Sequence, residues 1–234
     1  MKEDRFRSAR SVRAMFSDIA GRYDLMNRLL TLGMDERWRR RTARVMDLAP
    51  SGAVLDLCGG TGDLSFKVAD LQRQVVCADF AGPMLELTKN KAIARDRDTV
   101  VVPVLADALR LPFPDGAFAG ITIAFGLRNL RPAERGLVEM RRVLKPGGVL
   151  AVLESSSPTR PLLRRIHRLH LKRAVPALGR LLSTGSEAYD YLAESSLAWP
   201  SPQVLAGEIS SAGFTDLRWD TFLFGSVALH TARV

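Results

Sequence analysis

The chain has 234 residues, 47% of them hydrophobic, and a formal net charge of +9 at pH 7. That length suits one domain, or one domain with an added lobe, and is enough for a substantial core. No apolar run approaches the roughly 18 residues of a membrane-spanning helix, so the expectation is a soluble, cytoplasmic protein whose basic balance asks for an anionic partner, nucleic acid or an acidic membrane surface.

Met1 to Pro50 carries helical patterns without strands. The Arg-rich start contains Glu3 and Asp4 and lacks an apolar core, so it does not read as a secretory signal. Phe16, Ile19, Ala20 and Tyr23, then Met26, Leu29 and Leu30, mark successive turns punctuated by Gly21 and Gly33. The expectation for residues 1–50 is a helical lobe able to cover a sheet edge as a lid. Within it, Arg37 to Arg44 places five arginines around Trp38.

From Ser51 to about Glu154 strands and helices alternate, which predicts a mostly parallel, doubly wound α/β core over residues 51–154. Strand one, Ala53 to Cys58, runs into Gly59, Gly60 and Gly62, and a helix follows at once, Asp63 to Ala69. This is a buried strand, a tight glycine turn and a helix N-terminus, where the backbone admits a ligand closely and free N–H groups face it. A dinucleotide fingerprint would read G-x-G-x-x-G/A. Here Gly60-Thr61-Gly62-Asp63-Leu64-Ser65 puts Ser65 third and a carboxylate where a pyrophosphate would lie.

Strand two ends at Asp79, about 20 residues past the glycines, the spacing of a ribose-binding acid. A helix runs from Pro83 to about Ala94. Strand three, Thr99 to Leu105, ends in Ala106-Asp107-Ala108. After the loop Leu111 to Gly116 come strand four, Ala119 to Phe125, the loop Gly126 to Asn129, and a helix from Pro132 to about Leu144. Lys145-Pro146-Gly147-Gly148 is expected to stop that helix before strand five, Val149 to Glu154. A glycine floor, a diol acceptor and an acceptor for an exocyclic amine, on three consecutive strand tips, suit a nucleoside without phosphates. S-adenosylmethionine fits, because carboxylates complement its sulfonium, amino and hydroxyl groups.

Residues 155–202 read as a helical insertion on the substrate or membrane side. Arg160 to Arg173 has six arginines and lysines and no acid, and Leu162, Leu163, Ile166 and Leu169 recur at helical spacing. This is a basic amphipathic helix, either resting on anionic lipid or simply solvated. A second helix spans Ala188 to Trp199. Residues 203–234 are expected to complete the sheet with a helix, Gln203 to Ala212, and an antiparallel hairpin, Leu217 to Phe224 and Val227 to Val234, turning at Gly225-Ser226. The two cysteines, Cys58 and Cys77, read as small buried hydrophobes. His167, His170 and His230 are scattered, and no metal is assigned.

Together these pieces resemble a Rossmann-like, S-adenosylmethionine-dependent methyltransferase, and more narrowly the UbiE/MenG family of quinone C-methyltransferases. The resemblance covers nearly the whole chain. It is carried by FSDIAGRYDLMNRLLTLGMDERWRR (Phe16 to Arg40), VLDLCGGTGDL (Val54 to Leu64), ADALRLPFPDGAFAGITIAFGLRN (Ala106 to Asn129), RVLKPGGVLAVLE (Arg142 to Glu154) and YLAESS (Tyr191 to Ser196). The glycine turn is shared by many methyltransferases, whereas YDLMN with FGLRN and YLAES is far more specific and resembles this family above others.

The resemblance implies methyl transfer to a ring carbon of a polyprenylated hydroquinone. Demethylmenaquinol is favoured by the compact length, with the benzoquinol of the ubiquinone pathway as the alternative. The implied cofactor-binding set is Asp56, Gly59, Gly60, Thr61, Gly62, Asp79, Phe80, Asp107, Ala108 and Ala124. Family members often have Ser where this chain has Ala124, and Phe-Ser where it has Ser155 and Ser156.

Three residues are candidates for the chemistry. Arg128, just past strand four, is expected to hold the phenolate oxygen, or else to pair with a carboxylate and prop its loop. Asn129 either orients the ring hydroxyl or caps the next helix. Tyr23, one turn from Asn27, either closes over the cofactor or belongs to the core. Asp56 braces the turn or meets the cofactor's amino group, and Asp24 reads as a solvated or paired acid. No general base is named.

The expected partners are the quinol and an anionic membrane, with the assembly left open to a homodimer. An RNA methyltransferase also suits the cationic excess, but no RNA-binding module, Asn-Pro-Pro-Tyr-like motif or paired catalytic cysteines occur, so no nucleic acid is expected. A non-catalytic, cofactor-binding scaffold is the remaining class.

Overall fold

A computed structural model describes residues 9–174 and 186–234. Residues 1–8 of the expected lobe and 175–185 of the expected insertion lie outside the described residues. Helices Ala9–Ile19 (α1), Tyr23–Thr31 (α2) and Met34–Arg44 (α3) precede the sheet. Val54–Leu57 (β1), Asp63–Ala69 (α4), Val75–Asp79 (β2), Gly82–Ala94 (α5), Val101–Leu105 (β3) and Phe118–Ala124 (β4) follow. Ala133–Val143 (α6) leads into Leu144–Ser155 (β5), Pro161–Leu169 (α7) and a π-helical turn, His170–Ala174. Ser186–Ala198 (α8), Pro202–Ser211 (α9), Thr215–Phe222 (β6) and Val227–Arg233 (β7) complete the described chain.

The sheet has seven strands in the order β3-β2-β1-β4-β5-β7-β6. The first five in this order are parallel, and β7 runs antiparallel to both β5 and β6. The chain winds outward from β1 to β3, then returns to place β4 beside β1. That reversal opens a crevice beyond the carboxyl ends of β1 and β4, where ligands of doubly wound sheets bind.

Burial explains why these strands are central. β1 and β4 are buried along their whole length, as strands covered on both faces must be. Alternate residues serve opposite faces: Val54, Val149 and Leu153 pack with Trp38, Met46, Leu64 and Leu85, whereas Leu55, Ile121, Leu150 and Val152 pack with Leu137, Met140, Leu205 and Ile209. Trp38 and Met46 put α3 and the turn after it into the same core as β1. The edge strand β6 is mostly exposed and carries Asp216, Arg218 and Asp220, which discourage pairing with another chain.

Three expected boundaries need correction. Strand five begins at Leu144 rather than Val149, and the Lys145–Gly148 stretch lies within it. Leu144 already has extended geometry and pairs with Phe118, Pro146 favours extended backbone at Lys145, and a Cβ on Gly148 would lie 2.7 Å from the Lys145 carbonyl oxygen. The final hairpin turns through a 3-10 segment, Leu223–Gly225, not at Gly225-Ser226 alone. Leu223 and Phe224 both take positive φ, 46° and 55°, which removes Phe224 from the strand and leaves it 76% exposed. The basic helix ends at Leu169 and passes into the π turn. Its stripe of Leu162, Ile166 and Leu169 faces outward, while Leu171 is buried.

Candidate active site

The turn after β1 is set by residues that accept left-handed backbone: Cys58 (φ 53°), Gly60 (57°) and Gly62 (82°). Gly59 lets the turn close, since a Cβ there would lie 2.5 Å from the Cys77 sulfur. Beneath it Asp56 is fully buried, with Oδ2 accepting from Ser65 Oγ at 2.6 Å and Oδ1 from Thr122 Oγ1 at 2.8 Å. Burial pushes its carboxyl up to about 6, although the two hydroxyls pull the other way. Asp56 therefore braces the turn from below.

Asp79, at the tip of β2, accepts from the Gly60 N–H at 2.9 Å on Oδ2 and from the Ala81 N–H at 2.8 Å on Oδ1. One carboxylate thus ties the glycine turn to the start of α5. Burial raises its carboxyl above the ordinary value, and the backbone donors oppose that shift. Asp107 folds its own loop by accepting from the Leu109 N–H at 2.8 Å.

Above these tips lies a cavity of about 150 Å³, and beside it a second of about 180 Å³. Of the residues expected from sequence, Gly60, Asp79, Phe80, Asp107, Ala108, Ala124, Tyr23 and Asn129 meet in the wall of the first. Asp56, Gly59, Thr61 and Gly62 are not in that wall. Thr61 instead donates to Asp24 Oδ1 at 2.5 Å, while Lys91 Nζ reaches Asp24 Oδ2 at 2.6 Å, Asp63 Oδ1 at 2.9 Å and the Thr61 carbonyl at 3.0 Å. This network fastens α2 to the outside of the turn. Cys58 does line the cavity, and burial together with the Asp79 and Asp56 charges keeps its thiol protonated.

The two cavities share Phe16, Tyr23 and Phe125 as a partition. Arg128 lines the second, and both its backbone and its side chain engage the fully buried Glu154 at the end of β5. Its Nη1 donates to Glu154 Oε1 at 2.5 Å and to the Phe125 carbonyl at 2.7 Å, and its N–H reaches Glu154 Oε2 at 3.2 Å. The pairing that the sequence left open is therefore present, and Arg128 Nε has no partner among the described residues. Asn129 does not cap α6, whose N-cap is Pro132 with no side-chain bond. Its Oδ1 accepts from the Tyr191 hydroxyl at 2.9 Å.

Sequence reasoning missed most of the second cavity. Met15, Met26, Asp35, Arg39, His167, His170, Leu171 and Tyr191 line it. The only sequence signal was indirect: Asp35, Arg39 and Tyr191 sit in stretches that carry the family resemblance, and His167 is one turn from Leu163 and Leu171 on the inward face of the basic segment. Trp38 and Arg39, which lie in the arginine-rich stretch, are buried, with Arg39 Cζ 5.6 Å from the Phe125 ring centroid.

The profile of the ubiE/COQ5 methyltransferase family matches residues 2–233. The chain belongs to that family. A demethylmenaquinone methyltransferase of Mycolicibacterium vanbaalenii is 45% identical over 221 residues, covering 94% of this chain and 93% of that protein. One from Thermus thermophilus is 46% identical over 219 residues, covering 92% and 98%. A solved S-adenosylmethionine-dependent methyltransferase of Thermotoga maritima, described as a possible histamine N-methyltransferase, superposes with a TM-score of 0.65 at 17% identity, covering 94% and 98%, and shares the fold alone.

Family and fold together make this an S-adenosylmethionine-dependent methyltransferase, and the first cavity fits that cofactor. Asp79 could accept from ribose hydroxyls, Asp107 lies at the neighbouring tip, and Gly60, Ala106, Ala108 and Ala124 line the same cavity with small residues that leave room for a ligand.

Proposed function

We propose that this enzyme methylates the ring carbon of a polyprenylated naphthoquinol, converting demethylmenaquinol to menaquinol. The reading rests on one observation: a cavity with the carboxylates of a nucleoside site meets, across Tyr23 and Phe125, a second and mostly apolar cavity carrying Arg128. The names of relatives that match nearly end to end support the naphthoquinol over the benzoquinol.

S-adenosylmethionine supplies, when bound, a methyl group on a cationic sulfur. The chain's residues align and dry the acceptor. Tyr23 and Phe125 frame the passage between the cavities. Arg128, anchored by Glu154, holds cationic charge where the phenolate oxygen of the quinol gathers negative charge, which makes the adjacent ring carbon nucleophilic. With the acceptor held there, the methyl would pass from the sulfur to the ring carbon, leaving a thioether, and the displaced ring proton would be lost to bulk solvent as the product leaves.

Purified enzyme given methyl-labelled cofactor and, in separate anaerobic reactions, demethylmenaquinol, the benzoquinol and total RNA is expected to label the naphthoquinol. Label in RNA, or in none of the three, would reject the reading.

An isoprenoid tail must be drawn from a bilayer, and no described helix is long and apolar enough to cross one. Leu162, Ile166 and Leu169 of α7 are exposed beside Arg165 and Arg168, and the exposed Phe224 neighbours Leu223, which lines the second cavity. This mixture of apolar and cationic groups suits an anionic headgroup layer. Arg164 is better left out of that patch, because it donates to the carbonyls of Pro158 and Thr159. In liposome flotation, Arg165→Gln with Arg168→Gln is expected to lower recovery on anionic vesicles. Equal recovery on neutral and anionic vesicles would remove the membrane contact from the proposal.

A further inference from the structure

The second cavity carries more charge than an isoprenoid tail requires. Besides Arg128, its wall includes Asp35 and Arg39, one turn apart on α3 and only 1% and 6% exposed. They face inward because residues 35, 38, 39 and 42 form the buried stripe of that helix. Burying two charged side chains is costly unless their hydrogen-bonding capacity is used.

That capacity is not used up by the described residues. The Thr31 hydroxyl lies 2.9 Å from Asp35 Oδ1 and 2.7 Å from the Asn27 carbonyl, and it has one proton to give. Asp35 Oδ2 has no hydrogen-bond partner among the described residues, and neither does Arg39 Nε, the two lying 3.8 Å apart. Arg128, also in this wall, likewise keeps Nε without a partner among the described residues. The two guanidiniums flank a single aromatic ring, with Arg39 Cζ 5.6 Å and Arg128 Cζ 6.0 Å from the Phe125 centroid.

The chemistry of these groups is asymmetric. A guanidinium only donates and a carboxylate only accepts. The oxidised quinone has two acceptor oxygens and no donor, so arginines alone would hold it as readily as the reduced ring. The hydroquinone adds two O–H donors, and Asp35 is a carboxylate in the cavity wall with an oxygen left to accept one. We infer that Asp35 is a specificity determinant that accepts the hydrogen bond of the ring hydroxyl remote from Arg128, and thereby selects the hydroquinone over the quinone. The inference rests on the proposed substrate class. It also suits the reaction, because only the reduced ring is rich enough in electrons to attack as carbon, and a bound quinone would merely block the site.

Anaerobic equilibrium binding, followed by fluorescence of Trp38 in the cavity wall, tests this with a short-tailed 1,4-naphthoquinol, its quinone and the mono-O-methyl ethers of the quinol. Wild type is expected to bind the quinol about tenfold or more tightly than the quinone, the worth of one hydrogen bond to a charged group. One of the two ethers should fall to the quinone's level. Asp35→Asn keeps the shape but offers both a donor and an acceptor, so the preference should shrink toward unity while quinone affinity holds, which also reports a folded cavity. An undiminished preference in Asp35→Asn, or equal binding of both redox forms by wild type, would overturn the assignment. Binding of neither form by wild type would instead remove the substrate class and the assignment with it.

Discussion

The two cavities are built in different ways. The first is made by consecutive strand tips and the short loops after them, from Leu57 to Arg131, with only Val12, Phe16 and Tyr23 reaching in from the N-terminal helices. Its key carboxylate is held by backbone N–H groups at both oxygens. The second gathers residues from Met15 to Val227, taken from α1, α2, α3, α7 and the turn after it, α8, the ends of β4 and β5 and the hairpin tip, and it is organised by side-chain pairs such as Arg128 with Glu154 and Asn129 with Tyr191. The lesson is that a cofactor site can be carried by local backbone geometry, whereas the pocket that chooses the acceptor depends on pieces meeting through the tertiary fold.

The strongest challenge to that contrast is Arg128→Met, which should leave the Glu154 carboxylate buried without its partner. We expect the free energy of urea unfolding to fall by about 3–5 kcal/mol and turnover to collapse. Adding Glu154→Gln removes the unpaired charge, so part of the stability returns while turnover stays low. Full turnover in the double variant would reduce Arg128 to a prop.

Under the first cavity, Asp56 should reveal itself through pH. Its native carboxyl sits at about 6 against an ordinary 3.8, so the folded state holds an extra proton between those values. The stability it contributes is present below 3.8 and is lost as pH rises through 6. Relative to wild type, Asp56→Asn should therefore gain about 3 kcal/mol between pH 3.8 and pH 8, read from urea midpoints at each pH. A pH-independent difference would contradict a brace sealed from solvent.

A smaller effect sharpens the separation of the two cavities. Asp79→Asn should weaken S-adenosylmethionine binding by about tenfold to a hundredfold in calorimetry, through lost charge-assisted bonds. Naphthoquinol affinity should be unchanged, and parallel losses in both ligands would mean that the cavities are not independent. The least effect is expected from Tyr191→Phe, which removes the 2.9 Å bond to Asn129 and should cost about 1 kcal/mol of stability. A thermal melt is enough to see it.

Much of the first cavity was legible because the signals lie close together in the chain. The glycines after β1, Asp79 at the next tip and Asp107 at the third are fixed by strand-helix alternation, and Phe80, Ala108 and Ala124 came with the family resemblance. The same reading placed Thr61 against the ligand, yet its hydroxyl turns outward to Asp24, a partner 37 positions away that no local pattern reveals. In the second cavity Arg128 stood out for its place after β4, but its buried partner Glu154 did not. Asp35 looked like one more charge in a polar stretch, and His167 was hidden in a run of arginines.

By itself, the sequence determined the alternation of strands and helices and the nucleoside edge of the sheet, because each strand and its tip depend on residues close together in the chain, while the kind of enzyme came from a family resemblance spread along the whole of it. The tertiary fold alone decided which charges were buried and with whom. Desolvation and pairing depend on what packs alongside, so Asp35 against Arg39, Arg128 against Glu154 and the outward stripe of α7 became visible only once distant segments had met.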